Sequence, residues 1–200
     1  MKYLDRKFYE RDTLEVAKDL IGKYLVRQYN GKYIIGQITE AEAYIGAIDK
    51  ACHAYNGKKT ERTKVLYEEG GTCYVYLIYG MYYCMNIVTE KEGAAAAILL
   101  RSVKLIEGKE LAAKLRYGKE LKELTKYQLK NFSNGPGKLC KAFNISKINN
   151  MGSFCSEELF IADEWEEHKL AKLKIKTSPR IGIDYAEEAK DFNWRFYVED

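Results

Sequence analysis

The stretch from Tyr74 to Asn86, YVYLIYGMYYCMN, restricts what this chain can fold into more than any other segment. It carries no charge, and its one glycine, Gly80, separates two short runs of aromatic and aliphatic residues. Side chains alternate between the faces of a strand and glycine supplies a sharp turn, so the pattern reads as a hairpin or a bent strand pair. Five of its residues are tyrosines, more than one core readily takes up, because each buried phenol needs a hydrogen-bond partner. Either several of these rings are wet, or the hairpin presents them to something flat.

The rest of the chain bounds the answer further. Its 200 residues suffice for one generous core, and no Pro/Ser/Gly-rich linker or internal repeat divides them, so a single domain over 1–200 is expected. A net charge of +4 is too small to argue a nucleic-acid partner by itself. The five cysteines are unevenly spaced and form no CxxC pair, which argues for reduced thiols in the cytoplasm and against a disulfide framework or a structural zinc. The start, MKYLDRKFYERD, has no apolar core, and no uncharged run is long enough to span a bilayer.

Asp12 with Glu15 reads as a capping box opening the helix LEVAKDLIG, which Gly22 stops. KYLVRQY and KYIIGQITEAEAY flank Asn30-Gly31, the strongest short hairpin signal, since both turn positions need positive φ. The second strand delivers Glu40, Glu42 and Tyr44 at period two on one face. Two readings are open: a solvent-facing sheet edge, or a carboxylate at the floor of a cleft. A loop over residues 45–63 carries His53, and Lys58, Lys59, Arg62 and Lys64 follow among threonines, a mixture that suits phosphate oxygens or water equally.

AAAAILLRSVKLI reads as a buried strand, within which Arg101 demands an anionic or carbonyl partner. The charged segment from Lys109 to Phe132 has a helical pattern and is mostly surface. NGPGK then opens the apolar helix LCKAFNI, where the glycine-rich turn is either an anion site or a structural turn, and lacks Walker spacing. ELFIADEW, TSPRIGIDYAEEA and WRFYVE close the sheet as strands and turns, and His168 sits in a run of charges with no chemistry assigned to it.

Taken together, EAEAYIG, the histidine nine residues after that tyrosine, GTCYVYLIYGMYYCMN, ILLRSV, NGPGKLCKAF and RIGIDYA followed by WRFYV resemble the alkyladenine (3-methyladenine) DNA glycosylase family, in order and from about Leu14 to Val198. The resemblance implies an α+β fold: a single domain with a curled, mostly antiparallel, open-barrel-like sheet, surrounding helices and a protruding hairpin. It implies a monofunctional glycosylase of base excision repair, which flips alkylated or deaminated purines from duplex DNA and hydrolyses the N-glycosidic bond, leaving an abasic site. Catalysis would fall to Glu42, activating a water, and to Arg101, orienting it. Tyr44, His53, Tyr76, Asn86 and Ala51 would form the base pocket, Asn86 excluding guanine's exocyclic amine, with the His53 ring also bonding the nucleotide backbone.

By the same resemblance Tyr79 would intercalate from the minor groove, while Thr60, Arg62 and Lys138 would contact the DNA backbone. Tyr74, Tyr82 and Tyr83 keep the reading of strand packing. No metal or cofactor is expected, no membrane partner, and a monomer working in the cytoplasm on chromosomal DNA. Two other classes stay open: a catalytically silent relative that only recognises damaged DNA, and an interaction module whose tyrosine hairpin binds protein.

Overall fold

The computed structural model describes residues 3–165 and 173–199, so His168 lies outside the described residues. After a short helix α1 (Arg6–Tyr9), α2 (Thr13–Leu20) starts where Asp12 accepts from the amides of Leu14 and Glu15. It buries Val16, Ala17 and Leu20 against the sheet. β1 (Tyr24–Tyr29) and β2 (Lys32–Ile45) form the expected hairpin, with Asn30 and Gly31 at φ 49° and 70°.

β3 (Cys73–Ile78) and β4 (Tyr82–Thr89) make the aromatic hairpin, and β5 (Ala96–Glu107) follows. With β6 (Leu159–Ala162) the strands run in the order β3-β4-β5-β2-β1-β6, all antiparallel. β7 (Ile175–Ser178) pairs with β8 (Arg195–Val198), and β8 lies on β2 at Glu40–Glu42. The whole is a single α+β domain, a curled half-barrel of antiparallel strands with a few helices on it.

The long β2 thus has β5 on one side and both β1 and β8 on the other. The carboxylates of Glu40 and Glu42 therefore stand in the middle of the sheet, and the reading of a solvent-facing edge is excluded. The β2–β5 ladder is irregular here: Glu40 pairs with Ser102 and Ala41 with Leu100, so Arg101 is an extra residue on β5. A bulge of this kind bends the strand and re-aims the side chain.

The charged segment expected as helical from Lys109 is broken. α3 (Lys109–Tyr117) ends at Gly118, whose φ of 65° no helix can continue, and a 3-10 turn at Leu121–Glu123 and the one-turn α4 (Lys126–Lys130) follow. α5 (Pro136–Ala142) lies against β4 and β5. A Cβ added to Gly137 would stand 3.0 Å from the Tyr82 ring, so one glycine of NGPGK exists for close packing of helix on hairpin.

Candidate active site

A cavity of about 380 Å³ opens between β2, the aromatic hairpin, the loop around His53 and the segment after Pro179. Its wall includes Tyr44, Ala51, His53, Tyr76, Asn86, Arg62, Arg101 and the tip residue Tyr79. Residues spread over nearly 60 positions of the sequence are brought together because two neighbouring antiparallel pairs, β2–β5 and β4–β5, turn the same face inward.

Glu42 is wholly buried beneath this wall and does not itself line it. Its Oε1 accepts from the Ile181 amide at 2.7 Å; its Oε2 accepts from the Tyr44 hydroxyl at 2.9 Å and from Arg101 at 3.2 Å. All three partners donate, as the acceptor-only oxygens of a carboxylate require. Arg101 reaches Glu40 at 2.9 Å through Nε, and Arg195 takes the same Glu40 oxygen at 2.6 Å. Burial opposes the charge on Arg101, but Glu42 and Glu40 outweigh it and raise its pKa. Burial first and Glu42 second raise that of Tyr44, which stays a donor.

A second ionic layer backs the first. Asp49 and Arg180 are both fully buried and paired bidentately at 2.5 and 2.8 Å. Asp49 also accepts from the amides of Ile45 and Ala51, while Arg180 donates to the carbonyls of Ala43 and Ala189. The guanidinium lies between the rings of Tyr44 and Trp194, at 4.6 and 5.0 Å. One pair therefore ties together the end of β2, the loop before His53 and the segment that gives Glu42 its amide.

The aromatic wall is built from Tyr76, with His53 edge-on at 4.7 Å and Tyr74 tilted at 5.3 Å. Tyr74 packs in the sheet as expected, and it also lines the cavity and bonds His53 through its hydroxyl at 3.0 Å. The period-two pair Tyr74 and Tyr76 carried that signal. Asn86 is buried and donates to the Tyr74 carbonyl at 3.1 Å, so its amide is held still.

The hairpin tip is the opposite kind of surface. Tyr79 is 85% exposed at φ 50°, followed by Gly80 at φ 68°, and the turn is closed by the Met81 amide donating to Ile78. Leu77 and Met81 are exposed beside it. On the far side of Tyr79 and Pro136 a second groove carries Arg116, Lys138 and Lys141, with no carboxylate in its lining among the described residues.

Thr60 and Lys138 stand outside the cavity. Thr60 exchanges hydrogen bonds with Thr63 in a tight turn, and Lys138 is held by the amide oxygens of Asn131 and Asn134. Glu69, close before the hairpin, is taken up by Arg6 at 2.8 Å. Among the described residues, no group of acids, histidines or cysteines is arranged to hold a metal ion, and no helix is long and apolar enough to cross a membrane.

A buried acid bonded to an arginine in the wall of an aromatic cavity, beside an exposed aromatic hairpin tip, places a carboxylate next to a pocket lined by rings. Residues 7–200 match the model of the methylpurine-DNA glycosylase family, and the chain belongs to that family. A protein of Alkaliphilus oremlandii is 57% identical over 197 residues, covering 98% of this chain and 96% of its own. One of Clostridium novyi is 54% identical, over 100% of this chain and 96% of its own; one of Clostridioides difficile is 48% identical, over 98% and 100%. All three bear the provisional name 3-methyladenine DNA glycosylase. The family acts in base excision repair of alkylated DNA.

Proposed function

We propose that this chain, as one domain over 1–200, is a monofunctional glycosylase that flips alkylated or deaminated purines out of duplex DNA. It hydrolyses their N-glycosidic bond with a water activated by Glu42. The observation that carries this reading is the wholly buried Glu42 carboxylate bonded to Arg101 in the wall of the aromatic cavity. Glu42 Oε1 has one donor and keeps a lone pair to take the water's proton, while Arg101 orients that water. The carboxylate also stabilises the positive charge that develops on the sugar as the base leaves. Among the described residues no lysine lines the cavity, in keeping with direct hydrolysis to an abasic site and not an imine with the sugar.

The flipped base stacks among Tyr44, Tyr76 and His53 and rests on Ala51. Alkylation places positive charge on many such purines, and electron-rich rings favour a cationic base over its neutral parent. Asn86, fixed by its bond to Tyr74, excludes a base bearing guanine's exocyclic amine by clash. Tyr79 enters from the minor groove and fills the gap that the base leaves, offsetting a few kcal/mol of lost stacking. Thr60 and Arg62 on one side of the wedge, and Lys138 with Arg116 and Lys141 on the other, follow the phosphates of the flanking duplex. The protein works as a monomer in the cytoplasm, without metal or cofactor.

The test is a duplex carrying one ethenoadenine or hypoxanthine, incubated with the protein and then heated in alkali. Cleavage at the lesion is expected; a retarded band without cleavage means a binder of damaged DNA, and no interaction means neither.

A further inference from the structure

Arg101 sits where the β2–β5 ladder does not hold it. Its neighbours Leu100 and Ser102 pair with Ala41 and Glu40, and the bulge leaves Arg101 itself opposite no residue of β2. The direction of its long side chain is therefore set by what the guanidinium bonds. Nη1 donates to Glu42 Oε2 at 3.2 Å, and Nε donates to Glu40 Oε1 at 2.9 Å. The shorter bond goes to the carboxylate that the proposed hydrolysis does not use.

Glu40 is in turn built in from behind. Its Oε1 also accepts from Arg195 Nε at 2.6 Å, and Arg195 Nη1 donates to the Ser178 hydroxyl at 3.0 Å. The Arg195 guanidinium lies 4.5 Å over the Tyr197 ring. Glu42, Arg101, Glu40 and Arg195 thus form a row of alternating charge, in which Arg195 meets part of the charge on Glu40. Glu40 can then hold Arg101 without drawing it off Glu42. Arg101 lines the cavity, whereas Glu40 and Arg195 do not.

We propose that Glu40 is a positioning residue for the hydrolysis: with Arg195 behind it, it fixes the Arg101 guanidinium so that Nη2, which neither carboxylate takes, meets the attacking water. Two anchors on a rigid planar group determine where its third nitrogen lies. With Glu42 alone, the arginine could swing. The proposal rests on the roles given above to Glu42 and Arg101.

The experiment is single-turnover excision of hypoxanthine from duplex DNA, with the maximal rate and the half-saturating enzyme concentration measured separately. Glu40→Ala is expected to lower the maximal rate about ten- to a hundredfold and to leave the half-saturating concentration within about twofold. Glu40→Gln keeps an acceptor for both arginines and should recover part of that rate, and Arg195→Gln should show a smaller loss with the same split. In an Arg101→Gln background Glu40→Ala should cost nothing further. Should Glu40→Ala not fold, Glu40→Gln takes its place, and its smaller loss must likewise vanish in Arg101→Gln. An undiminished loss in that background would overturn the inference, as would an unchanged maximal rate or a loss confined to the half-saturating concentration. If the unaltered protein excises neither hypoxanthine nor ethenoadenine, or Glu42→Gln excises as fast, the glycosylase reading itself fails, and this inference with it.

Discussion

The cavity floor and the hairpin tip lie on one sheet and are built on opposite terms. Around Glu42 the charged groups are buried or half-buried and each has several donors or acceptors, so their geometry is set before any ligand arrives. At Tyr79 a large ring stands in water on a left-handed backbone that costs an aromatic residue on the order of 1 kcal/mol. Charge developing in a transition state is best met by dipoles that need not reorganise. A wedge needs the reverse, an apolar surface with no partner until the base stack supplies one.

That contrast makes separable predictions. The largest effect belongs to the floor: Glu42→Gln should lower the single-turnover rate roughly a thousandfold or more, with affinity for lesion duplex within a few-fold by gel shift. Next is the ionic layer beneath it. Asp49→Asn strips the buried Arg180 of its counter-charge and should cost about 3–5 kcal/mol in urea unfolding, with excision falling as Tyr44 and the Ile181 amide lose their support. Tyr79→Ser should leave the urea midpoint unchanged or slightly raised and weaken binding to abasic duplex by about ten- to a hundredfold, with little change on single strands. A matching loss of stability would erase the distinction between floor and tip.

The smallest effect is a pH dependence. Burial, and after it Arg62, pushes the His53 ring down to about 4, whereas an unfolded chain's histidine titrates near 6.5. As pH falls through that window the unfolded chain takes the proton first. The contribution to stability is therefore full above about pH 6.5 and declines towards pH 4. Between pH 7 and pH 5 the urea midpoint should fall less for His53→Phe than for the unaltered protein; equal falls would show that the ring is solvated.

What was legible beforehand follows the range of the interactions. The Asp12 cap and the Asn30-Gly31 turn are set within a few residues and stand where expected. Arg101 announced by its place in an apolar strand that it needs an anionic or carbonyl partner, and the resemblance pointed to Glu42, which it does bond. Whether Glu42 lay on an edge or a floor was not legible, because β8 joins β2 from about 155 residues away. Asp49 and Arg180, 131 residues apart, gave no local sign of pairing. The helical pattern after Lys109 broke at Gly118, whose left-handed φ of 65° ends the helix there.

The division of labour between floor and tip is tested most directly by one lesion in two settings: hypoxanthine in a paired duplex and in an unpaired single-base bulge, with single-turnover rates at saturating enzyme. Tyr79→Ser should slow excision from the paired duplex and leave the bulge nearly untouched, whereas Glu42→Gln should slow both alike. Equal slowing of both substrates by Tyr79→Ser would place the tip in the chemistry and contradict the account.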